Sequence, residues 1–316
     1  MKTNYILEGS VFDRLKDIED ESIQCVVTSP PYWGLRDYGE DEQLGLEETP
    51  EEFVDNLVKM FREVKRVLRK DGTVWLNLGD SYCGVGSHNN KHTTKKSLNW
   101  NGSEETNNSL RPGGVHGLKP KNLVGIPWKV AFALQSDGWY LRQDIIWHKP
   151  NPMPESVQDR CTKSHEYIFL LTKSAKYFYD ADAIREPVSE ISLKRAEYGW
   201  DCDRPSTKNA SMNGKGIHTK KMGNRFVNPD GRNKRSVWTI TTKPYKGAHF
   251  ATFPPELPEL CIKAGSREGE IVLDPFFGSG TTGWVAQRLG RKWIGVELNP
   301  EYIKIAEKRF MQMELF

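Results

Sequence analysis

LDPFFGSGTT, residues 273–282, separates the apolar run Ile271–Leu273 from a segment with helical spacing, Thr281–Leu289. Gly278 and Gly280 allow a tight turn and a close approach of the backbone to a ligand. The start of the following helix offers N–H groups that have no partner within the helix. The spacing is neither GxGxxG nor that of a P-loop, since no GK[ST] follows. It therefore predicts a strand–turn–helix unit whose ligand is neither a dinucleotide nor a nucleoside triphosphate.

The next apolar run, Trp293–Val296, ends in the acid Glu297. An acid at that strand end suits hydrogen bonds to ribose hydroxyls, as in Rossmann-like folds. Asp274, at the end of the preceding strand, could pair with a cationic group of the ligand. The alternative is an ordinary turn with a surface glutamate, but the order strand, glycine turn, helix, strand, acid favours a nucleoside cofactor. The predicted cofactor-binding residues are Asp274, Pro275, Phe276, Gly278, Ser279, Gly280, Thr281, Thr282, Glu297 and Asn299.

Strand-like and helix-like segments alternate along most of the chain. This alternation predicts an α/β fold, with a mostly parallel sheet and helices on both of its faces. The predicted strands are Ile23–Thr28, Thr73–Leu78, Asp144–Trp147, Tyr167–Thr172, Ile271–Leu273 and Trp293–Val296. The predicted helices are Glu51–Arg69, Pro127–Gln135, Pro255–Ala264, Thr281–Leu289 and Tyr302–Phe310.

A second motif, Ser29-Pro30-Pro31-Tyr32, directly follows the predicted strand Ile23–Thr28. Two prolines restrict the backbone and extend it, so the motif predicts a rigid ledge at the carboxyl end of a strand. The Ser29 hydroxyl and the Pro30 carbonyl can accept hydrogen bonds from an amino group, and Tyr32 offers a flat face for a base. A simple turn is the alternative, but the position after a buried strand favours a reaction centre.

The two motifs together resemble the β group of DNA amino-methyltransferases, which methylate cytosine N4 or adenine N6. Three further segments, Gly34–Gly39, Gly138–Pro150 and Ser164–Lys173, resemble the same group, as does Asp71–Asp80. The resemblance covers most of the chain. It implies S-adenosylmethionine as the cofactor and a Rossmann-like, seven-stranded sheet with an antiparallel terminal hairpin.

The resemblance also implies an order of regions along the chain. Residues 1–184 would form the catalytic half, with a mobile loop at 83–121. Residues 185–247 would be an inserted target-recognition region, and residues 248–316 the cofactor-binding half. Tyr5–Leu7 would lie beside Trp293–Glu297 as a further strand. One departure is Gly9-Ser10, where the group usually has Gly-Asp.

The exocyclic amine of a base is a weak nucleophile, because its lone pair is delocalised into the ring. Hydrogen bonds to Ser29 and the Pro30 carbonyl would draw the nitrogen toward sp³ geometry and aim it, so that positioning and electrostatics supply the catalysis. The base would have to be flipped out of the duplex to reach this ledge. The predicted catalytic residues are therefore Ser29, Pro30, Pro31 and Tyr32.

The identity of the base is less constrained. No cysteine follows a proline in a comparable loop, so C5 methylation of cytosine is rejected. Within the group, serine at the first position of the tetrad tends to accompany N4-cytosine enzymes and aspartate N6-adenine enzymes. Ser29 thus favours cytosine N4, with adenine N6 or another amine as alternatives. A non-catalytic DNA-binding module of this fold, and methylation of RNA or of protein glutamine, are further alternatives.

Charge is unevenly distributed. Between Glu190 and Gly247 there are 13 lysines and arginines against 5 acids, a net charge of +8. Such a block attracts polyanions, because neutralising phosphates releases counterions. We therefore expect double-stranded DNA as the partner, although a solvated basic surface is the plainer alternative. The candidate DNA-contacting residues are Trp33, Arg36, His148, Lys149, Arg225, Arg232, Lys234 and Arg235.

The remaining composition excludes several classes. No apolar stretch is long enough for a membrane span, and Met1–Tyr5 has no apolar signal core. We therefore expect a cytoplasmic protein. The five cysteines are dispersed without a CxxC pair, so we expect reduced thiols and no metal site. A monomer and a homodimer are both compatible with the sequence.

Overall fold

A computed structural model describes residues 2–35, 39–40, 42–83, 96–98, 104–106, 118–191, 231–242 and 253–313. The main sheet of this part of the chain has eight strands. They are β1 (Tyr5–Glu8), β2 (Ile23–Thr28), β3 (Leu68–Leu78), β6 (Tyr140–His148), β7 (His165–Thr172), β8 (Val237–Thr239), β9 (Ile271–Asp274) and β10 (Lys292–Glu297). A separate pair consists of β4 (Lys96–Leu98) and β5 (Glu104–Thr106).

The order of strands in the main sheet is β1-β10-β9-β2-β3-β7-β6-β8. Five consecutive strands, β1, β10, β9, β2 and β3, run parallel to one another, whereas β7 pairs antiparallel with both β3 and β6. The Rossmann-like α/β fold with an antiparallel hairpin is therefore confirmed. Tyr5 pairs with Ile294, as the resemblance implied for this strand.

The sheet has one strand more than the seven predicted. The additional strand is β8, which pairs parallel with β6 and contains the buried residue Trp238. Three residues are too few to show the alternation by which strands are predicted from sequence. These residues fall within the range 185–247 that was predicted as the inserted region.

Six α-helices lie entirely within the described residues. They are α1 (Val11–Arg14), α2 (Pro50–Val67), α3 (Ile126–Ser136), α4 (Glu256–Gly265), α5 (Thr281–Arg288) and α6 (Pro300–Met313). Helix α2 begins with a capping box, in which Thr49 and Glu52 exchange side-chain and backbone hydrogen bonds. It ends two residues earlier than predicted, because Leu68 is already extended and pairs with Ile23 of β2.

Helices cover both faces of the sheet. On one side, Val74, Leu76 and Leu78 of β3 join a core cluster with α2 and α3. On the other side lies α4, where a Cβ on Gly265 would come within 2.5 Å of Thr73 Oγ1 and 2.9 Å of Trp75 Nε1. The central strands are thus buried on both faces, and their carboxyl ends remain as the place for a site.

The chain divides into two compact units, residues 1–180 with 236–316, and residues 181–235. No helix among the described residues is long and apolar enough to cross a membrane. Cys25, Cys83 and Cys261 are buried free thiols and Cys161 is an exposed one. Cys202 lies outside the described residues, as does most of the predicted loop at 83–121.

Candidate active site

The two sequence motifs lie side by side at one edge of the sheet. Strands β2 and β9 are parallel neighbours, with Cys25 opposite Val272 and Val26 opposite Leu273. Because both strands end at the same edge, the tetrad that follows β2 and the turn that follows β9 open into one cleft of about 890 Å³.

Most of the predicted site residues line this cleft. The whole tetrad does so, namely Ser29, Pro30, Pro31 and Tyr32. The cofactor candidates in the lining are Asp274, Pro275, Phe276, Gly278, Ser279, Thr281, Glu297 and Asn299. Gly280 and Thr282 lie behind this surface, where Gly280 adopts a left-handed φ of 75° just before α5 and Thr282 is buried.

Asp274 connects the two motifs. Its Oδ1 accepts hydrogen bonds of 2.7 Å from Thr28 Oγ1 and 3.1 Å from the Phe276 backbone N–H. Its Oδ2 accepts one of 2.7 Å from Thr282 Oγ1. Burial raises the pKa of Asp274 to about 7. From its position in the sequence, Asp274 could pair with a cationic group of the ligand; in the structure its hydrogen bonds join the end of β2 to β9 and α5.

Glu297 shapes the backbone of the cofactor turn. Its Oε2 accepts a hydrogen bond of 2.7 Å from the Gly278 N–H, and its Oε1 accepts one of 2.9 Å from the Asn299 N–H. Burial raises the pKa of Glu297. Each carboxylate oxygen keeps a further lone pair, so the residue can still accept hydrogen bonds from ligand hydroxyls that enter the cleft.

An aromatic stack supports the turn from below. The Phe277 ring lies parallel to Trp293, with 5.1 Å between ring centroids, and also stacks with Phe310. Gly295 makes room for it, since a Cβ there would lie 2.3 Å from the Phe277 ring. The ring position therefore depends on the absence of a side chain at residue 295.

The turn suits S-adenosylmethionine, the cofactor that the sequence resemblance implied. Ser279 is 1% exposed and lines the cleft, and its Oγ has no hydrogen-bond partner among the residues that the structure describes. A buried polar group without a partner is unfavourable, so this hydroxyl is suited to a polar ligand group. The start of α5 attracts a carboxylate, and Glu297 can accept from ribose hydroxyls.

The tetrad's tyrosine is held by a network of polar side chains. Tyr32 Oη donates a hydrogen bond of 2.7 Å to Glu166 Oε2, and Asn77 Nδ2 donates one of 3.1 Å to the same oxygen. Lys149 forms an ion pair with Glu166 Oε1. Ser29 Oγ donates a longer bond of 3.4 Å to Tyr32 Oη. Burial, followed by the charge of Glu166, raises the pKa of Tyr32 well above its ordinary value.

The ring of Tyr32 also packs against the backbone. A Cβ on Gly79 would lie 2.5 Å from Tyr32 Cε2, so the ring occupies the space that any side chain at residue 79 would need. Gly79 follows directly after β3, which also carries Asn77. The carboxyl end of β3 thus fixes both the plane and the hydroxyl of this tyrosine.

The candidate DNA-contacting residues are only partly brought to the cleft. Lys149 lines it, with its ammonium 4.3 Å from the ring centroid of Trp147. His148 is not in the lining and pairs with Thr239 Oγ1 at 3.2 Å. Trp33 is buried and donates to the Glu47 carbonyl at 2.9 Å. Arg36 and Arg225 lie outside the described residues.

Three further candidates belong to the unit of residues 181–235. Arg232, Lys234 and Arg235 surround Glu186, at nitrogen–oxygen distances of 3.3, 3.7 and 2.9 Å. Burial alone would raise the pKa of Glu186, but the hydrogen bond from Arg235 holds it below its ordinary value. The three cations thus share Glu186 as a common partner.

Sequence reasoning missed Thr28, Asn77, Gly79 and Glu166. Asn77, Gly79 and Glu166 fall in segments that resemble the methyltransferase group, but nothing in the sequence shows that they meet at Tyr32. The available signal is their position at strand ends, since Asn77 is next to last in β3 and Glu166 second in the antiparallel strand β7. Such a position places a side chain near the edge that holds the tetrad.

Comparison with known proteins points to DNA methylases. A family model described as DNA methylase, N6_N4_Mtase, matches residues 23–308. The Type II methyltransferase M.XycI of Xanthomonas campestris pv. cyanopsidis is 48% identical over 309 residues, covering 98% of this chain and 88% of that protein.

Two solved structures share the fold. PvuII DNA methyltransferase (cytosine-N4-specific) has a TM-score of 0.63 at 19% identity, covering 98% of this chain and 87% of its own. TTHA0409 of Thermus thermophilus, a putative DNA modification methylase complexed with S-adenosyl-L-methionine, has a TM-score of 0.59 at 24% identity, covering 98% and 93%. With the match of 286 residues to the family model and the tetrad set beside the cofactor turn, the chain belongs to the N6/N4 family of DNA methylases.

Proposed function

We propose that this DNA methyltransferase transfers the methyl group of S-adenosylmethionine to the exocyclic N4 of cytosine, at a specific site in duplex DNA. The observation that carries the choice of base is Ser29 at the first position of the tetrad, placed in the cleft beside the cofactor turn. PvuII methyltransferase, which is named as cytosine-N4-specific, has the same fold.

Hydrogen-bond directions at the tetrad explain why an amino group is the acceptor of the methyl. A carboxylate can only accept, so Glu166 directs the Tyr32 proton toward itself. Tyr32 Oη then accepts the Ser29 proton, although over the longer distance of 3.4 Å. The lone pairs of Ser29 Oγ remain for an N–H donor. A base amine can donate here, whereas a keto oxygen meets another acceptor.

Bound S-adenosylmethionine supplies an electrophilic methyl group on a sulfonium. The protein's part is to hold the amine, through Ser29 Oγ and the Pro30 carbonyl, with its lone pair turned out of the base ring. Pro30 and Pro31 restrict the backbone of this ledge, so little reorganisation is needed as charge develops. Tyr32, fixed by Glu166 and Gly79, offers the face on which the base stacks.

We assign DNA contact to the cationic part of the chain. A base in a duplex cannot reach the tetrad, so it must be flipped out. Residues 185–247 are the proposed target-recognition region, and Arg232, Lys234 and Arg235 contribute its positive charge in the described residues. Arg36 and Arg225 remain proposals from sequence. We assign Lys149 mainly the role of holding Glu166, and not of contacting DNA, because the two side chains form an ion pair in the cleft.

The test is mass spectrometry of nucleosides from a host that has no DNA methylation of its own. We expect N4-methylcytosine in DNA from cells that express the protein. The matched control is Ser29→Ala, which removes one acceptor and should abolish the product while S-adenosylmethionine still binds. N6-methyladenine without N4-methylcytosine would overturn the choice of base, and full activity of Ser29→Ala would overturn the role of this hydroxyl.

A further inference from the structure

One apolar side chain projects from the rim of the active-site cleft. Met153 is 88% exposed, more than any other large hydrophobic residue that the structure describes. Of the exposed hydrophobic residues in the described ranges, only Met153 and Leu35 line the cleft, and Leu35 is 37% exposed. Met153 and Leu35 therefore share both properties, but Met153 has by far the larger exposed fraction.

The backbone that carries Met153 is restrained. Prolines at 150, 152 and 154 restrict the backbone of this segment and of the residues between them. Asn151 is fixed by a reciprocal pair of bonds, since its Nδ2 donates 3.1 Å to the Thr242 carbonyl and its Oδ1 accepts 3.0 Å from the Thr242 N–H. An exposed side chain is thus presented from a held backbone.

Both ends of the segment are also anchored. The Lys149 N–H donates 2.7 Å to the Ser164 carbonyl, next to the ion pair of Lys149 with Glu166. On the other side, Glu155 pairs with Arg160 at 2.6 Å and accepts from the Lys163 N–H at 3.2 Å. The ion pair that holds Tyr32 thereby also sets the start of the segment that leads to Met153.

A flipped base leaves a gap in the duplex, and closing that gap decides how long the base stays out. Proteins that bend DNA insert apolar side chains, methionine among them, between base steps. A side chain of the same kind would suit the gap that a flipped base leaves. Methionine suits this because it is unbranched, flexible and polarizable, so that it can lie against the faces of neighbouring bases. A side chain with this role must lie at the cleft's rim and point away from the protein.

We propose that Met153 enters the duplex and fills the space left by the flipped base. The proposal rests on the proposed function in one respect, namely that the target is flipped from duplex DNA. It is independent of whether the base is cytosine or adenine. Met153 is then a positioning residue, because it holds the base in the cleft without touching the reacting atoms.

The experiment compares single-turnover methylation of two duplexes. Both carry the site located by sequencing methylated DNA from the expressing host, but in one the target base faces an abasic position. Flipping is easier there, since the base has no pairing partner to lose. For Met153→Ala we expect a rate about tenfold or more below wild type on the paired duplex, and within about twofold on the abasic one. Met153→Leu, which keeps an apolar side chain of similar size, should retain most of the paired-duplex rate.

Met311→Ala is the matched control, because Met311 is also exposed, at 65%, but lies on α6 and does not line the cleft. It should equal wild type on both duplexes, and all variants should bind S-adenosylmethionine equally. An equal loss on the two duplexes, or no loss on the paired one, would overturn the proposal. Nucleoside analysis of the products reports the methylated base separately, so a wrong choice of base is distinguishable from a wrong role for Met153.

Discussion

Thr28 and Asp274 are joined by a hydrogen bond of 2.7 Å between a hydroxyl and a buried carboxylate, across 246 positions of sequence. Thr28 directly precedes the proposed catalytic tetrad, and Asp274 begins the predicted cofactor turn. This contact therefore holds the end of β2, which leads into the tetrad, against the start of that turn. Thr282, at the start of α5, also donates a hydrogen bond to the Asp274 carboxylate, so this carboxylate holds α5 as well.

Stability should depend on the protonation of Asp274. Burial raises its pKa to about 7 in the folded protein, against 3.8 for the unfolded chain. Because the folded state binds this proton more tightly, the stabilising contribution is complete below pH about 4 and is lost as the pH rises through about 7. The free energy of unfolding of wild type minus that of Asp274→Asn should therefore fall over this window, by an amount on the order of a few kcal/mol.

Urea unfolding at several pH values measures this difference. Asp274→Asn does not titrate, and Glu297, whose pKa burial also raises, is present in both proteins. The difference between them therefore reports the titration of Asp274 together with its charge interaction with Glu297. A difference that stays flat between pH 4 and 8 would show that the pKa of Asp274 is ordinary.

Ser279→Ala should separate cofactor binding from stability. The Ser279 hydroxyl is buried and has no partner in the described part of the chain, so its removal breaks no hydrogen bond that the structure shows. We expect an unchanged or higher free energy of unfolding, together with a dissociation constant for S-adenosylmethionine raised about tenfold, the equivalent of one lost hydrogen bond. Calorimetric titration and urea unfolding measure the two quantities.

Thr282→Val is the contrasting variant, since its hydroxyl bonds Asp274 at 2.7 Å. It should lower the free energy of unfolding by about 1–3 kcal/mol, because a buried carboxylate loses a donor. If Ser279→Ala destabilised the protein as much as Thr282→Val, the hydroxyl would have a structural role instead.

Substitutions at Gly79 and at Gly295 should affect different properties, the methylation rate for Gly79 and cofactor binding for Gly295. A Cβ on Gly79 would lie 2.5 Å from the Tyr32 ring, whereas one on Gly295 would lie 2.3 Å from the ring of Phe277. Gly79→Ala should therefore reduce the methylation rate and leave cofactor affinity near wild type. Gly295→Ala should weaken S-adenosylmethionine binding. Single-turnover rates and calorimetric titration measure the two properties for both variants. The same combination of rate and affinity changes in the two variants would contradict this division.

Local patterns account for most of what could be predicted. The helices and the central strands follow from apolar spacing, and the tetrad and the glycine turn are contiguous motifs that bring their own geometry. Strand β8 was not predicted, because three residues are too few to show a periodic pattern of apolar side chains. The partners of Tyr32 were not predicted for another reason. Asn77 and Glu166 lie 45 and 134 positions from it in sequence, and only the antiparallel pairing of β3 with β7 brings them together.

Asp274 illustrates the same limit at a residue that was predicted. Its place at a strand end correctly puts it in the cleft, but its partners could not be inferred, because Thr28 reaches it only through the pairing of β2 with β9. An acid at such a position is compatible with a cationic ligand or with neighbouring hydroxyls. The choice depends on which side chains the adjacent strand supplies.

The hydroxyl of Tyr32 should matter for rate more than for binding. Tyr32→Phe keeps the ring but loses the bond to Glu166, so the base can still stack while the Ser29 hydroxyl loses its acceptor. Ser29 can then rotate and point its proton at the incoming amine. The amine donates its own N–H and needs an acceptor, so a second donor cannot form this hydrogen bond. We expect kcat to fall about tenfold or more, since one hydrogen bond to the reacting group is misdirected, with KM for DNA and cofactor affinity changed much less.

Tyr140→Phe, an exposed tyrosine outside the cleft lining, is the control and should equal wild type. Glu166→Gln should resemble Tyr32→Phe in kcat, because an amide can donate to Tyr32 and reverse the chain of hydrogen bonds. Steady-state kinetics on duplex DNA decide the matter: a rise in KM at constant kcat would mean that Tyr32 and Glu166 bind DNA and do not orient Ser29.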